Sequence, residues 1–345
     1  MNAPVEDFLQ LPADATVNFH LQPIAHFLCE PGVTEICVNR PGEVFVEKAG
    51  AWQSFNVPQL SFEHCLSLAG AVATLTAQHT SERDPLLGAT LPGNLRVQFC
   101  QPGATQPGVV AICIRRPSDR AFTLADFDRA GLFSRMHARR GELRQHEREL
   151  LELKSQGRFV EFLQKAVQCR QTIVVAGKTG SGKTTFMKAL IELIALHERL
   201  ITIEDANELE LRSHRNKVHL LYSKNGQGAS SVTPKQLLEA CLRLRPDRIL
   251  LAEVRGEEAY YFLRLAASGH PGSITSLHAG SCELAFEQLS LMVRESPAGG
   301  GMTMAEIGQL ARDVVDIVIH LDDHEGRHIT GIHYDPEARL RREAA

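Results

Sequence analysis

The chain has 345 residues, 43% of them hydrophobic, with a net charge of -4 and a pI near 6.4. That length implies two domains with ample cores, and the mild acidity gives no general pull toward nucleic acid or anionic lipid. Eight cysteines, at 29, 37, 65, 100, 113, 169, 241 and 282, form no Cys-x-x-Cys pair, which favours buried thiols in a reducing compartment over disulfides or zinc.

Residues 1–11 carry two acids and no basic residue ahead of an apolar core, which is unlike a signal peptide. No uncharged apolar run approaches the roughly eighteen residues that span a bilayer. A soluble protein is therefore expected, with any membrane association arising through partners or the surface. Residues 33–56 read as a strand meander. Residues 34–38 and 44–47 alternate around the turn Arg40-Pro41-Gly42, and a third strand surrounds Trp52. Residues 60–76 read as a helix, with Phe62, Cys65, Leu66, Ala69, Val72 and Leu75 at helical spacing. A Pro/Gly-rich loop is expected over 84–93, then strands over 95–99 and 109–115. Residues 1–135 thus read as an α+β domain.

Between 136 and 154 the character changes. Arg135, Arg139, Arg140, Glu142, Arg144, Glu147 and Glu149 crowd a polar helical segment, read by default as a solvated helix. It falls in the expected interdomain linker, 136–159. A second α/β pattern then fills 160–345. Strands at 172–176, 200–204, 248–252 and 273–277 alternate with helices at 183–197, 234–243, 256–268 and 281–294. That pattern implies one largely parallel sheet covered on both faces. A Thr303-x-x-Glu306 capping box starts a further helix, and 313–320 with 328–333 read as a closing hairpin across 322–326.

The chemistry is densest in Gly177-Lys178-Thr179-Gly180-Ser181-Gly182-Lys183-Thr184, which fits the phosphate-loop pattern Gly-x4-Gly-Lys-Ser/Thr without a mismatch. The apolar run Thr172-Ile173-Val174-Val175-Ala176 enters it as a buried strand. A helix leaves it with Phe186, Leu190, Ile191 and Ile194 on one face. Such a loop turns its N–H groups and the helix dipole toward an anion. Lys183 reaches the β- and γ-phosphates and the Thr184 hydroxyl binds Mg²⁺. The strand 248–252 ends in Glu253, where nucleotide folds place a carboxylate that holds Mg²⁺ through its water shell. The strand 200–204 ends in Glu204-Asp205. From the pattern alone these two acids fit a catalytic base beside a metal and fit a turn cap equally well. Residues 269–280 hold His270 and His278 framed by glycine and proline. A histidine there suits a γ-phosphate contact, yet lone histidines are more often structural, and no metal-ligand spacing is present.

The order of these elements, with Glu253-Val254-Arg255-Gly256 and Gly269-His270-Pro271-Gly272-Ser273 up to Leu277-His278-Ala279, resembles the secretion ATPase superfamily, which powers type II and type IV secretion and type IV pili. Residues 34–42 and Ile114-Arg115-Arg116-Pro117-Ser118 resemble its type IV secretion, conjugation-type branch. The resemblance implies an α/β P-loop (RecA-like) ATPase domain over 160–345 preceded by a smaller α+β amino-terminal domain. It also implies ATP and Mg²⁺ as cofactors and a six-subunit ring with nucleotide between the two domains. It implies a cytoplasmic location peripheral to the inner membrane, with other type IV secretion ATPases and inner-membrane components as partners. Carried over residue by residue, Gly177 to Thr185 are the phosphate loop, and Glu204 and Asp205 the acidic box with Glu204 as base. Glu253 is the Mg²⁺-linked acid, and His270 and His278 are the histidine box with His278 facing phosphate. Arg96, Arg115 and Arg116 sit where the family's amino-terminal arginines reach phosphate, and Arg243, Arg245 and Arg255 are further candidates at the site or a subunit seam. Ala252 departs from the glycine that many relatives carry. A type II or pilus ATPase is disfavoured because Cys241 and Cys282 cannot form the two Cys-x-x-Cys pairs such enzymes often carry. A DNA motor is disfavoured by the acidic balance, so no specific nucleic-acid partner is expected. A non-hydrolysing scaffold is disfavoured by the intact Lys183, Thr184, Glu204 and Glu253.

Overall fold

Residues 14 to 117 build an antiparallel sheet and its helical cover, seen in a computed structural model that describes residues 12–117, 121–134, 142–223, 228 and 230–343. Residues 1–11, with Arg135, Arg139 and Arg140 of the polar segment, lie outside the described residues. Helices α1 (Ala15–Leu21) and α2 (Ala25–Cys29) precede strands β1 (Val33–Arg40), β2 (Glu43–Lys48) and β3 (Ala51–Asn56). Helix α3 (Phe62–Leu75) follows, its amino terminus capped by the Ser61 hydroxyl, which accepts from His64 N at 3.2 Å. Strands β4 (Leu86–Leu91), β5 (Leu95–Cys100) and β6 (Ala111–Arg115) complete a six-stranded antiparallel sheet, ordered β3-β2-β1-β6-β5-β4. One face packs Ile36, Val38, Val97, Phe99, Ile112 and Ile114 against Val17, Leu21, Leu68 and Val72 of the helices. Strand alternation puts Glu35, Cys37 and Asn39 on the other face, where they are also buried.

Strand β4 corrects the expected loop over 84–93. Turn-forming Pro85, Pro92 and Gly93 flank the segment, but Leu87 and Leu91 between them are buried and pair with β5. The punctuation marked the ends of a strand.

Helices α4 (Leu124–Arg129), α5 (Gln145–Ser155) and α6 (Phe159–Gln168) come next. Helix α5 is not simply solvated, since Leu150 is fully buried with Phe162, Leu163 and Val167 of α6. Then follow β7 (Ile173–Gly177), α7 (Lys183–Ile191), β8 (Leu200–Glu204), β9 (Lys217–Leu221), α8 (Pro234–Cys241), β10 (Arg248–Leu251), α9 (Glu258–Ala267), β11 (Ile274–Leu277), α10 (Cys282–Glu295), α11 (Met304–Val314), β12 (Ile317–Asp322), β13 (His328–Tyr334) and α12 (Glu337–Glu343). Helix α7 ends six residues before the expected 197. Leu193 and Ile194 instead donate to carbonyls three residues back, a tighter turn. The Thr303–Glu306 capping box is present at α11.

The expected single sheet is divided. One four-stranded sheet runs β11-β7-β12-β13, with β11 and β12 parallel to β7 and β13 antiparallel to β12. A separate three-stranded sheet runs β10-β8-β9. The break falls between β10 and β11, where side chains take over the ladder. Ser273 Oγ donates to Ile249 O at 2.5 Å and Ser276 Oγ to Ala252 O at 2.9 Å, beside one backbone bond, Val254 N to Ser276 O at 2.8 Å.

The chain divides into two compact units. The first is Met1–Pro117 with Ile203–Asn207 and Asn216–Pro246, and the second is Ser118–Thr202 with Glu208–Arg215 and Asp247–Ala345. Within the first, Asn216 and Arg245 meet the polar sheet face: Asn39 Nδ2 donates to Asn216 Oδ1 at 2.9 Å, and Arg245 pairs with Glu47. Within the second, a buried ion pair anchors the start of β10. Arg248 meets Glu198 at 2.9 and 2.8 Å and also donates to Val167 O and Gly272 O. No described helix is long and apolar enough to cross a membrane. Among the described residues the cysteines are unbridged and mostly buried, with Cys29 exposed.

Candidate nucleotide-binding site

In the second unit β7 delivers the chain to Gly177, and α7 resumes it at Lys183. Between them φ reaches +154° at Gly177, +84° at Gly180 and +93° at Gly182, a curl that side-chain-bearing residues resist. A Cβ on Gly177 would lie 2.5 Å from Leu321 O on the neighbouring strand. No side chain caps α7, so its first N–H groups remain open to an anion. Lys178, Thr179 and Gly180 are exposed, Ser181 is buried, and Thr184 and Thr185 occupy the first turn of the helix.

Lys183 is only 7% exposed. Its Nζ donates to Lys178 O at 3.0 Å and faces His278 Nδ1 at 3.4 Å. Burial pushes its pKa below the usual lysine value, Glu253 opposes that shift, and Arg255 adds to it. His278 turns its other nitrogen, Nε2, to Glu253 Oε1 at 2.8 Å. An ammonium has no lone pair, so Nδ1 accepts and the ring proton sits on Nε2, which faces Glu253 Oε1 without closing a hydrogen bond. The second Glu253 oxygen, Oε2, receives Arg255 Nε at 2.6 Å and also Nη2. The structure therefore brings Lys183, His278, Glu253 and Arg255 into one chain of contacts. His270 does not join it. Its backbone N–H closes the end of α9 on Leu265 O, and burial lowers its pKa.

Lys178 points to the β12–β13 turn, pairing with Asp323 at 2.5 Å and Asp322 at 3.4 Å. These bonds raise its pKa, the one to Asp323 contributing most. The same turn carries Arg327, whose Cδ lies 3.4 Å from where a Gly182 Cβ would sit. Sequence reasoning missed this cation beside the loop. The available signal was its place in the hairpin turn that follows an apolar strand, β12, paired directly beside β7.

In the first unit Glu204 is buried at the end of β8, with His219 Nδ1 3.2 Å from its Oε1. Asp205 follows it, partly exposed. A separate cavity of about 440 Å³ is lined by Arg96, Arg115, Arg243, Arg245 and Glu35. Strand register explains the gathering, since Arg96 pairs with Arg115 and Arg115 with Glu35 across three strands on one face. Burial pushes the Glu35 carboxyl up to about 7 against the pull of Arg115, 3.7 Å away. Gly88 leaves room for the Arg243 guanidinium, which a Cβ there would overlap. Arg245 is occupied by Glu47, at 2.5 and 3.3 Å. Arg116, expected to reach phosphate, does not line this cavity. It follows Arg115 by one residue and donates to Glu30 O at 2.6 Å.

A curled glycine loop between a buried strand and a helix, with its lysine tied through a histidine to the acid beyond β10, defines a phosphate-loop protein on an α/β scaffold. The chain belongs to the family described as type II/IV secretion system protein, which matches residues 18–321. It is 47% identical over 341 residues to the type IV secretion system protein VirB11 of Brucella suis, covering 97% of this chain and 94% of that one. It is 44% identical over 334 residues to VirB11 of Bartonella henselae, covering 93% and 94% of the two chains. It is 39% identical over 314 residues to the type IV secretion system protein PtlH homolog of Bordetella bronchiseptica, covering 91% and 92%. The crystal structure of the VirB11 ATPase of the Brucella suis type IV secretion system, in complex with sulphate, superposes with a TM-score of 0.92, covering 96% of this chain and 98% of that one at 47% identity.

Proposed function

We propose that this chain is the ATPase of a type IV secretion system. In this reading it hydrolyses ATP with Mg²⁺ as a homo-hexamer peripheral to the inner membrane, energising assembly of, or transfer through, the secretion machine. The observation that carries the ATPase reading is the Lys183–His278–Glu253 chain beside the open helix N-terminus. The link to type IV secretion rests on the relatives named above. A RecA-like α/β domain over 160–345, a linker over 136–159 and an α+β domain over 1–135 belong to the same reading.

The donor set suits Mg²⁺. Thr184 offers a hydroxyl and Glu253 a carboxylate, both hard oxygen ligands. When bound, Mg²⁺ neutralises charge on the β- and γ-phosphates. The chain's own groups do the rest. Loop N–H groups of 177–185 cradle the phosphates, and Lys183 exchanges the Lys178 carbonyl for phosphate oxygen. Glu204 accepts the proton of the attacking water while His219 holds that carboxyl in orientation. Arg96, Arg115 and Arg243 supply further phosphate-directed cations, whereas Arg245 stays paired with Glu47.

ATP turnover by purified protein tests the reading. Lys183→Ala should fold yet lose turnover by about a hundredfold or more, since it removes charge stabilisation at the transferring phosphoryl group. Wild-type-like turnover by the folded variant would sink the assignment.

A further inference from the structure

Resting on that reading, we propose that Arg327, in the β12–β13 turn, is a phosphate-contacting residue that grips the diphosphate common to ATP and ADP.

The turn is seated along the phosphate loop. Leu321 O lies 2.5 Å from where a Gly177 Cβ would sit, and Asp323 Oδ2 lies 3.9 Å from the same point on Gly180. Arg327 Cδ and Nε lie 3.4 and 3.7 Å from that point on Gly182. Lys178 Nζ crosses from the loop to Asp323 at 2.5 Å and Asp322 at 3.4 Å. The turn is also braced internally. Asp322 pairs with His328 across the hairpin, and Gly326 N donates to Asp323 O at 3.3 Å. The Arg327 side chain is therefore carried to Gly182, the N-cap of α7, where the first N–H groups have no side-chain cap.

The ion pairing is a second observation. Asp322, Asp323 and Glu325 share the turn with Arg327, yet among the described residues Arg327 forms no ion pair or hydrogen bond. The two aspartates go instead to the loop's own lysine. Lys178 is thereby neutralised by the turn, and the turn's arginine is left beside the loop to meet an anion. A planar guanidinium with several donors suits neighbouring phosphate oxygens better than an ammonium does.

Strand order assigns the phosphates. Strand β7 lies between β11 and β12. Lys183 Nζ leans to the β11 side, toward His278, and marks the γ-phosphate end. Arg327 arrives from the β12 side, so it meets the phosphates that ATP and ADP share.

The test is calorimetric titration of the full chain with ADP, a non-hydrolysable ATP analogue and inorganic pyrophosphate, for wild type, Arg327→Gln and Arg327→Lys. Arg327→Gln should weaken all three ligands by about tenfold, the scale of one charge-assisted hydrogen bond. Arg327→Lys should recover part of that loss, because it keeps the charge without the fork. The melting temperature of the nucleotide-free protein should be the same in all three. Unchanged ADP affinity in Arg327→Gln overturns the proposal. So does a loss confined to the two nucleotides, which would move the contact to the nucleoside. A loss that Arg327→Lys shares in full, or that comes with a lowered melting temperature, marks a support for the hairpin and overturns it too. Wild-type protein that binds none of the three ligands overturns the nucleotide-binding reading itself.

Discussion

At the scale of single residues, the two acids have separable environments and should separate in experiment. Glu253 is held by His278 and Arg255 next to the phosphate loop, while Glu204 is capped by His219. Glu204→Gln should slow hydrolysis while leaving Mg²⁺-nucleotide affinity near wild type, because a base acts on water. Glu253→Gln should weaken the Mg²⁺ dependence of binding as well. Equal loss of nucleotide binding in both variants would show that the roles are not divided in this way. A third carboxylate, Glu35, gives a pH signature. Burial raises its pKa to about 7, so between the ordinary carboxyl value and 7 the folded chain binds a proton that the unfolded chain has released. The stability Glu35 contributes is full at acid pH and lost as pH rises through about 7. Glu35→Gln cannot ionise, so it should exceed wild type by up to about 3 kcal/mol above neutral pH and match it near pH 4.5. Chemical unfolding across that range measures it, and a constant difference at every pH would contradict the assignment.

At the scale of elements, the glycine loop after β7 was legible because a tight turn from a buried strand into a helix calls for glycines at positive φ, and the backbone angles at Gly177, Gly180 and Gly182 meet that demand. Strand β8 was also legible, since an unbroken apolar run leaves little choice. Strand β4 was not, because proline and glycine at its two ends outweighed a short Leu-Leu-Gly-Ala-Thr-Leu run that gains its stability from β5. The break between β10 and β11 was invisible because serine hydroxyls replace ladder bonds there, and no periodicity records that. The arginine cavity needed the return of residues 242–245 onto β1 and β2, a long-range event that spacing does not encode. Gly272 of the His-Pro-Gly run has a local explanation: φ is +84°, and a Cβ would lie 3.0 Å from Arg170 Cβ and from Arg248 Nη1. Those contacts belong to the Glu198–Arg248 pair that roots β10, whose side chains are 4% and 0% exposed. Arg248→Ala leaves the buried Glu198 with one remaining cation, Arg170 Nη2 at 3.0 Å, so the cost in urea unfolding should fall short of the about 3–5 kcal/mol of a fully orphaned charge yet exceed about 1 kcal/mol. A loss below about 1 kcal/mol, the scale of an exposed pair, would show that the site is wetter than its burial implies.

At the scale of the whole molecule, family membership and the likeness to VirB11 over nearly the full chain join with a site suited to phosphate and Mg²⁺. The proposed ring adds a demand that a monomeric nucleotide-binding protein would not meet, because hydrolysis should belong to the assembled species. The most direct measurement is phosphate release from ATP on fractions whose copy number is read by native mass spectrometry. Mg²⁺-dependent release should follow the six-copy species and vanish in Lys183→Ala at the same assembly state. Six-copy protein that releases no phosphate, or release that survives Lys183→Ala, would contradict the account.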